Sequence, residues 1–312
     1  MAKKKQISTI ATNTWQDALQ NFIYWKQAMG LADVTISDYR YHVTQFFTRH
    51  PEAFTQQSLK RSVLKYMSQK VKPATYNLRL VYLRTFFNWC IEEGILPENP
   101  LAGFKKRKDE GRIVKLDAET ITKLISLPDK KTYAGLRDYT LVLLTMDTGI
   151  RPKEAFYLLV DDVNFRSLEV HIRAEVAKTR VSRTLPLSPP TSQSIRDLLK
   201  ARHPDWKDDV PIFATTDGTL LNSNTWGDRI EAYCKQLGVK FRPYDLRHAF
   251  ALQYLRNGGH ALGLQRIMGH SDLTMTKRYV ALTQQDVRDQ HSLASPLNTF
   301  LPQKKRVRKV KN

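Results

Sequence analysis

The sequence has little cysteine. Its 312 residues hold two, Cys90 and Cys234, far apart and without metal-ligand spacing. That excludes a disulfide framework and a cysteine-built zinc site, and it suits buried or free thiols in a reducing cytoplasm. No apolar run approaches the roughly 20 residues that a membrane span requires. The opening stretch, "MAKKKQISTIATN", carries cations with no hydrophobic segment behind them, which excludes a secretory signal. No internal repeat of solenoid period is present. Acid is scarce relative to base: 30 Asp and Glu against 50 Lys and Arg leave a net charge of +20. An excess of that size points to a polyanionic partner, nucleic acid first and an acidic membrane surface second.

What is present reads as two helical regions joined by a break. The length favours two domains, each able to bury a core. After a basic tail over residues 1–13, residues 14–97 form a helical unit in which Trp15, Ala18, Phe22, Trp25 and Met29 recur at helical spacing until Gly30. "TISDYRYHVTQFF" opens with a capping-box pattern, Thr35 and Asp38, and stacks Tyr39, Val43 and Phe46 on one face. Two further helices follow, with Arg79 and Arg84 placed off the apolar face of the last. Pro97, Pro100 and the basic run Lys105, Lys106, Arg107 and Lys108 mark residues 98–114 as a linker. Residues 115–290 form the second domain: helices, two short strands in "SLEVHIRA" and "SRTLPL", then helices again. Residues 291–312 form a loop-like end with a basic cluster that includes Lys304, Lys305, Arg306 and Arg308.

Four short stretches of the second domain carry chemistry. "TGIRPKEA" ends a helix at Gly149 and opens another, so Arg151 sits at a helix start, where backbone N–H groups favour an anion. Glu154, one turn on, can hold that arginine. "KTRVSRTLPL" places Lys178 on a hairpin between the strands. "RPYDLRHAF" sets Tyr244 and Arg247 on one helix face at i and i+3, with His248 beside them. "MGHSDLTMTKRYV" adds His270 and Tyr279, on a short helix that Ser271 can cap and that carries Met275 inward. Each of these residues alone suits a bland role: a surface arginine, a solvated lysine, a capping histidine, a core tyrosine.

Taken together, in this order and at this spacing, the stretches resemble the tyrosine recombinases, the phage-integrase type of site-specific recombinase. The "SPL" near the end and the first-half helix "TYNLRLVYLRTFFNWCIEEGIL" also look like that family. The resemblance implies a mainly α fold with a small antiparallel β-sheet in the catalytic domain. It implies a two-domain DNA clamp, in which a SAM-like helical core-binding domain and the catalytic domain grip opposite faces of the duplex. It further implies that Tyr279 attacks a DNA phosphodiester to give a 3′-phosphotyrosyl intermediate without ATP, metal or other cofactor. Arg151 and Arg247 would stabilise the non-bridging oxygens, Lys178 would protonate the leaving 5′ oxygen, and His270 would donate to the phosphate. Glu154 and His248 would orient these groups.

One position departs from the family pattern. The family's H-x-x-R begins here with Tyr244, a phenol that can still donate a hydrogen bond. The implied partners are double-stranded DNA with an inverted-repeat core site, three further copies of this chain on two such sites, and an accessory DNA-bending protein. Exchange would pass through a Holliday junction. Only about a dozen residues precede the helical unit, which implies no separate arm-site domain. A bacterial, nucleoid-associated, cytoplasmic location follows. DNA contacts are expected from Arg79, Arg84, the linker run and the terminal basic cluster. Two rivals share part of these features: a type IB topoisomerase, and a DNA-binding or architectural protein without activity.

Overall fold

The computed structural model describes residues 14–54, 56–109, 116–277, 279, 288 and 291–301, the side chains of 56, 57, 274 and 277 aside. The chain divides into two units, Met1–Gly111 and Arg112–Asn312. Among the described residues no helix is long and apolar enough to cross a membrane.

The first unit is built from α1 (Trp15–Ala28), α2 (Asp33–Arg49), α3 (Gln56–Met67) and α4 (Pro73–Glu92). Thr14 caps α1 by accepting from the Asp17 amide at 3.1 Å. Ala18, Leu19, Phe22, Ile23 and Lys26 face inward. Trp25 and Met29, expected on that stripe, are 36% and 58% exposed. Each lies seven residues after a buried one, Ala18 and Phe22, and seven residues fall short of two helical turns, so the buried face drifts across the helix and takes Ile23 and Lys26 in their place. The Lys26 ammonium lies over the Trp25 ring at 4.3 Å from its centroid, a cation–π contact that keeps a buried cation tolerable. The next helix begins at Asp33, with Thr35 inside its first turn, so the expected capping box is not its start. Gly30, in the left-handed region, turns the chain early. Phe22 meets Tyr39 and Phe86 edge to face at 5.1 and 5.4 Å, the centre of an aromatic core.

Two further expectations change here. Arg79 is buried, donating to the Tyr66 carbonyl at 3.1 Å and to Gln69 at 2.9 Å, with its guanidinium 4.1 Å from the Tyr66 ring centroid. Residues 98–107 are not a bare linker but pack on α4: Leu101 is fully buried, and Arg84 donates to the Leu101 carbonyl at 3.0 Å and to that of Phe104. Asn77 brackets Arg107, giving to its carbonyl at 2.9 Å and accepting from its amide at 2.8 Å. The Arg107 guanidinium covers the Tyr76 ring at 3.8 Å. Helix α4 ends at Glu92, with Gly94 in the left-handed region, and beyond the two prolines Leu101 still has apolar surface to bury, which pulls the segment back onto the core.

The second unit follows the expected architecture, mainly helical with a small antiparallel sheet. Helix α5 (Ala118–Ser126), α6 (Tyr133–Thr148) and α7 (Pro152–Phe156) precede a three-stranded sheet of β1 (Val163–Asn164), β2 (Glu169–Ile172) and β3 (Arg183–Pro186) in the order β1-β2-β3. Antiparallel register pairs Val163 with Val170 and Val170 with Leu185, so the inner face of the sheet is aliphatic. Then come α8 (Pro189–Lys200), α9 (Ser223–Leu237), α10 (Pro243–Arg256), α11 (Ala261–Met268) and α12 (Leu273–Lys277). One core joins Leu141, Val142, Phe156, Ile172, Leu185, Trp226 and Leu246. Fully buried Asp138 on α6 accepts from Arg137 at 2.8 Å, from Arg229 at 2.5 Å and from Tyr233 at 2.8 Å, which ties α6 to α9. A buried carboxylate needs that many donors.

Candidate active site

The site is assembled around two helix ends. Helix α6 stops at Gly149, whose φ of +61° is open to glycine at little cost. A Cβ there would lie 2.3 Å from the Phe250 ring, so the position is constrained by space as well. The stop aims the Gly149 carbonyl at Arg247 Nη1 and puts Arg151 at the start of α7. Glu154 then turns back on Arg151, accepting from its amide at 3.2 Å and from Nη1 at 2.9 Å.

The second helix end belongs to α11. Its last carbonyls take three arginines in succession: Ile267 accepts from Arg183 Nε at 3.1 Å, Met268 from Arg247 Nη2 at 2.6 Å, and Gly269 from Arg151 Nη2 at 3.2 Å. The carbonyls at a helix C-terminus lack intrahelical donors and carry partial negative charge, which is why three cations can converge there. Glu154 supplies the formal counter-charge. It is 1% exposed and also accepts from Arg183 at 3.1 and 2.5 Å. Burial works against its charge, but Arg183 and then Arg151 outweigh burial and hold the carboxyl below the ordinary range.

Arg247 is fully buried. Desolvation first, and the charge of Arg151 second, push its guanidinium down to about 10, so it keeps its charge at neutral pH. Among the described residues its Nε has no hydrogen-bond partner, a costly state for a buried donor. His270 follows directly on Gly269 and pairs its Nδ1 with Thr276 Oγ1 at 2.9 Å. Burial, then Arg247 and Arg151, lower its imidazole to about 4, so it is neutral at pH 7. Tyr279 is 7% exposed, its ring packed with Phe250, Leu255, Leu264 and Met268. Its hydroxyl lies 2.5 Å from His248 Nδ1. Met275, expected to point inward, is 43% exposed; Thr276 and Tyr279, three apart, share the buried face instead.

Tyr244 stands one turn before His248 on α10, 41% exposed, its ring edge-on to that imidazole at 5.0 Å. Lys178 is exposed on the connection between β2 and β3, as its hairpin spacing implied. An open cleft of about 870 Å³ lies between that hairpin and α11, lined by Thr179, Arg183, Gln265, Gly269 and His270 among others. The structure thus links Arg151, Glu154, Arg247, His248, His270 and Tyr279 through direct bonds or adjacent residues. It sets Lys178 on a neighbouring loop and Tyr244 at the rim. Lys105, Lys106, Arg107 and Lys108 are exposed in the first unit. Lys304, Lys305, Arg306 and Arg308 lie outside the described residues.

Arg183 was missed in the sequence. The signal was available: in "SRTLPL" the strand alternation puts residue 183 on the same face as buried Leu185, and a cation on that face needs a buried anion.

The phage integrase family model matches residues 115–286. The chain is 27% identical over 273 residues to tyrosine recombinase XerC of Shewanella amazonensis, covering 85% of this chain and 91% of that protein. It is 26% identical over 282 residues to tyrosine recombinase XerD of Lacticaseibacillus casei, covering 86% and 94%. In fold it is similar to the Tn1549 transposon integrase in complex with circular intermediate DNA, with TM-score 0.69, 18% identity, and 89% and 99% of the two chains covered. It is also similar to a lambda integrase dimer bound to a COC′ core site, with TM-score 0.66, 19% identity, and 85% and 77% covered. With the family model spanning more than half of its length, the chain belongs to the phage integrase family, the tyrosine recombinases.

Proposed function

We propose that this enzyme, a site-specific DNA recombinase, cuts and rejoins strands through a 3′-phosphotyrosyl intermediate formed on Tyr279. The observation that carries the assignment is the convergence of Arg151, Arg247 and His270 on the end of α11, with the Tyr279 hydroxyl one histidine away from Arg247. A phosphodiester in that place meets donors on two guanidiniums, and Arg247 Nε, which has no partner among the described residues, gains an acceptor. Neutral His270 donates a hydrogen bond to a non-bridging oxygen, and Tyr244 at the rim donates another. Lys178, on its exposed hairpin, delivers a proton to the departing 5′ oxygen. Glu154 keeps Arg151 in place. The linkage conserves the energy of the broken bond, so a different 5′ hydroxyl can reverse the step without ATP.

The substrate on this reading is duplex DNA with an inverted-repeat core site, gripped by both units as a clamp. The charge of +20 and the solved DNA complexes of the fold relatives support it. Lys105, Lys106, Arg107 and Lys108, with Lys304, Lys305, Arg306 and Arg308, contact phosphates. Arg79 and Arg84 instead hold the first unit together, because their guanidiniums are spent on its carbonyls. Four copies act on two sites through a Holliday junction, helped by a DNA-bending protein, in a bacterial cytoplasm. The test is covalent capture: wild-type protein incubated with a pool of randomised duplexes retains DNA through denaturation, and Tyr279→Phe binds DNA but retains none. An adduct formed by Tyr279→Phe overturns the assignment.

A further inference from the structure

His248 follows Arg247 on α10, and its Nδ1 lies 2.5 Å from Tyr279 Oη. The contact is not a chance meeting of two surface groups. The Tyr279 ring is buried among Phe250, Leu255, Leu264 and Met268, so packing directs its hydroxyl. The imidazole is half-buried and has the Tyr244 ring edge against it at 5.0 Å. Of the two groups, a free phenol holds its proton to near pH ~10, whereas a free imidazole has an open lone pair above ~6.5. With the hydroxyl as donor, Nδ1 accepts and the imidazole carries its hydrogen on Nε2, the tautomer that a base at this position requires. Among the described residues of the site, the other two candidates to receive a proton, Glu154 and His270, are committed. Glu154 accepts from two arginines, and His270 Nδ1 is paired with Thr276.

We infer that His248 is the base of strand cleavage, taking the Tyr279 proton at Nδ1 as Oη bonds to phosphorus. This presupposes the proposed roles of Tyr279 as nucleophile and Lys178 as acid. As the Oη–P bond forms, the bond from phosphorus to the 5′ oxygen breaks. The Tyr279 proton passes to His248, and the 5′ oxygen takes one from Lys178. In rejoining, the 5′ hydroxyl gives its proton to Lys178 while its oxygen bonds to phosphorus. The imidazolium then returns its proton to Oη, and the enzyme ends in its starting state. Sequence position alone gave His248 only an orienting part; the 2.5 Å contact puts it on a reacting atom.

The probe is a duplex that wild-type protein captures covalently from the randomised pool, nicked beside the cleaved phosphate so that cleavage is irreversible. His248→Ala and His248→Asn should both cleave it about 10²–10³-fold more slowly in a single turnover while still binding it. Asn keeps an acceptor near the Nδ1 position but cannot carry a proton, so it separates base from brace. Added imidazole should restore cleavage to His248→Ala, and more basic imidazoles should restore it faster. A second measurement needs no DNA: in ¹⁵N-histidine protein, the His248 signals, assigned by their loss in His248→Asn, should show hydrogen on Nε2 and none on Nδ1 at neutral pH. Wild-type cleavage by His248→Asn, or hydrogen on Nδ1, overturns the base while leaving the phosphotyrosyl chemistry standing. Failure of wild-type protein to capture any duplex through Tyr279 overturns both.

Discussion

Arg183 reaches Glu154 through two nitrogens, at 3.1 and 2.5 Å, while Arg151 holds the same carboxylate at 2.9 Å. One buried acid thus sets the position of two cations from different elements, β3 and the start of α7. Removing one partner from a buried pair costs about 3–5 kcal/mol, because the charge left behind has no water to turn to. Glu154→Gln should therefore lose about 3 kcal/mol in urea unfolding at pH 7. The pH dependence has a definite sign. The folded carboxyl is held below its ordinary 4.5, so its contribution is complete above that value and is lost as pH falls through the folded value. Wild type should lose stability in acid more steeply than Glu154→Gln; equal slopes between pH 5 and 3 would show that this carboxyl is not the linked group.

Gly149 joins backbone conformation to the site. Alanine there meets a φ of +61° and the Phe250 ring at 2.3 Å. The left-handed backbone alone costs about 1–2 kcal/mol for an L residue. Gly149→Ala should exceed that, and should also slow cleavage, since its carbonyl holds Arg247 Nη1. Adding Phe250→Leu should recover the steric part and leave the backbone part. Denaturant midpoints of wild type, Gly149→Ala and the double variant decide, and an unchanged midpoint for Gly149→Ala would rule out the constraint.

Lys178→Ala should slow cleavage of ordinary DNA far more than of DNA with a sulfur at the bridging 5′ position. A thiolate leaves without a proton, so the acid becomes unnecessary. Equal losses on both substrates, in single-turnover assays, would remove Lys178 from that role.

Tyr244, at 41% exposure, has little packing to lose. Tyr244→Phe should stay within about 0.5 kcal/mol of wild-type stability. Loss of its hydroxyl donor should still slow cleavage, by on the order of 100-fold, the low end for one preorganised donor, because Arg151 and Arg247 share the load. Tyr244→His restores a donor and should be active. Cleavage by Tyr244→Phe at the wild-type rate would make Tyr244 a rim residue only.

Much of this was written locally. The residues that converge are carried by short motifs whose helix starts and stops, Gly149 and Pro152 above all, follow from backbone chemistry. The alternation in "EVHI" and "RTLP" announced the hairpin that carries Lys178. Other features lay beyond reach of local pattern. Trp25 and Ile23, or Met275 and Thr276, compete for one buried face, and only the neighbouring helices choose between them. Arg84 looks like a surface cation until Leu101 and Phe104 bring their carbonyls to it.

The sequence by itself determined the charge, the family and which residues are candidates for the reacting groups, because each depends on composition or on patterns a few residues long. Tertiary structure decided which groups touch. Arg247 meets the carbonyl of Gly149, 98 positions away, and Arg151 that of Gly269, 118 positions away. His248 meets Tyr279 across 31. Such contacts depend on burial: a guanidinium or a phenol taken out of water must find its partner wherever the packed helices have put one, and that is a property of the whole fold.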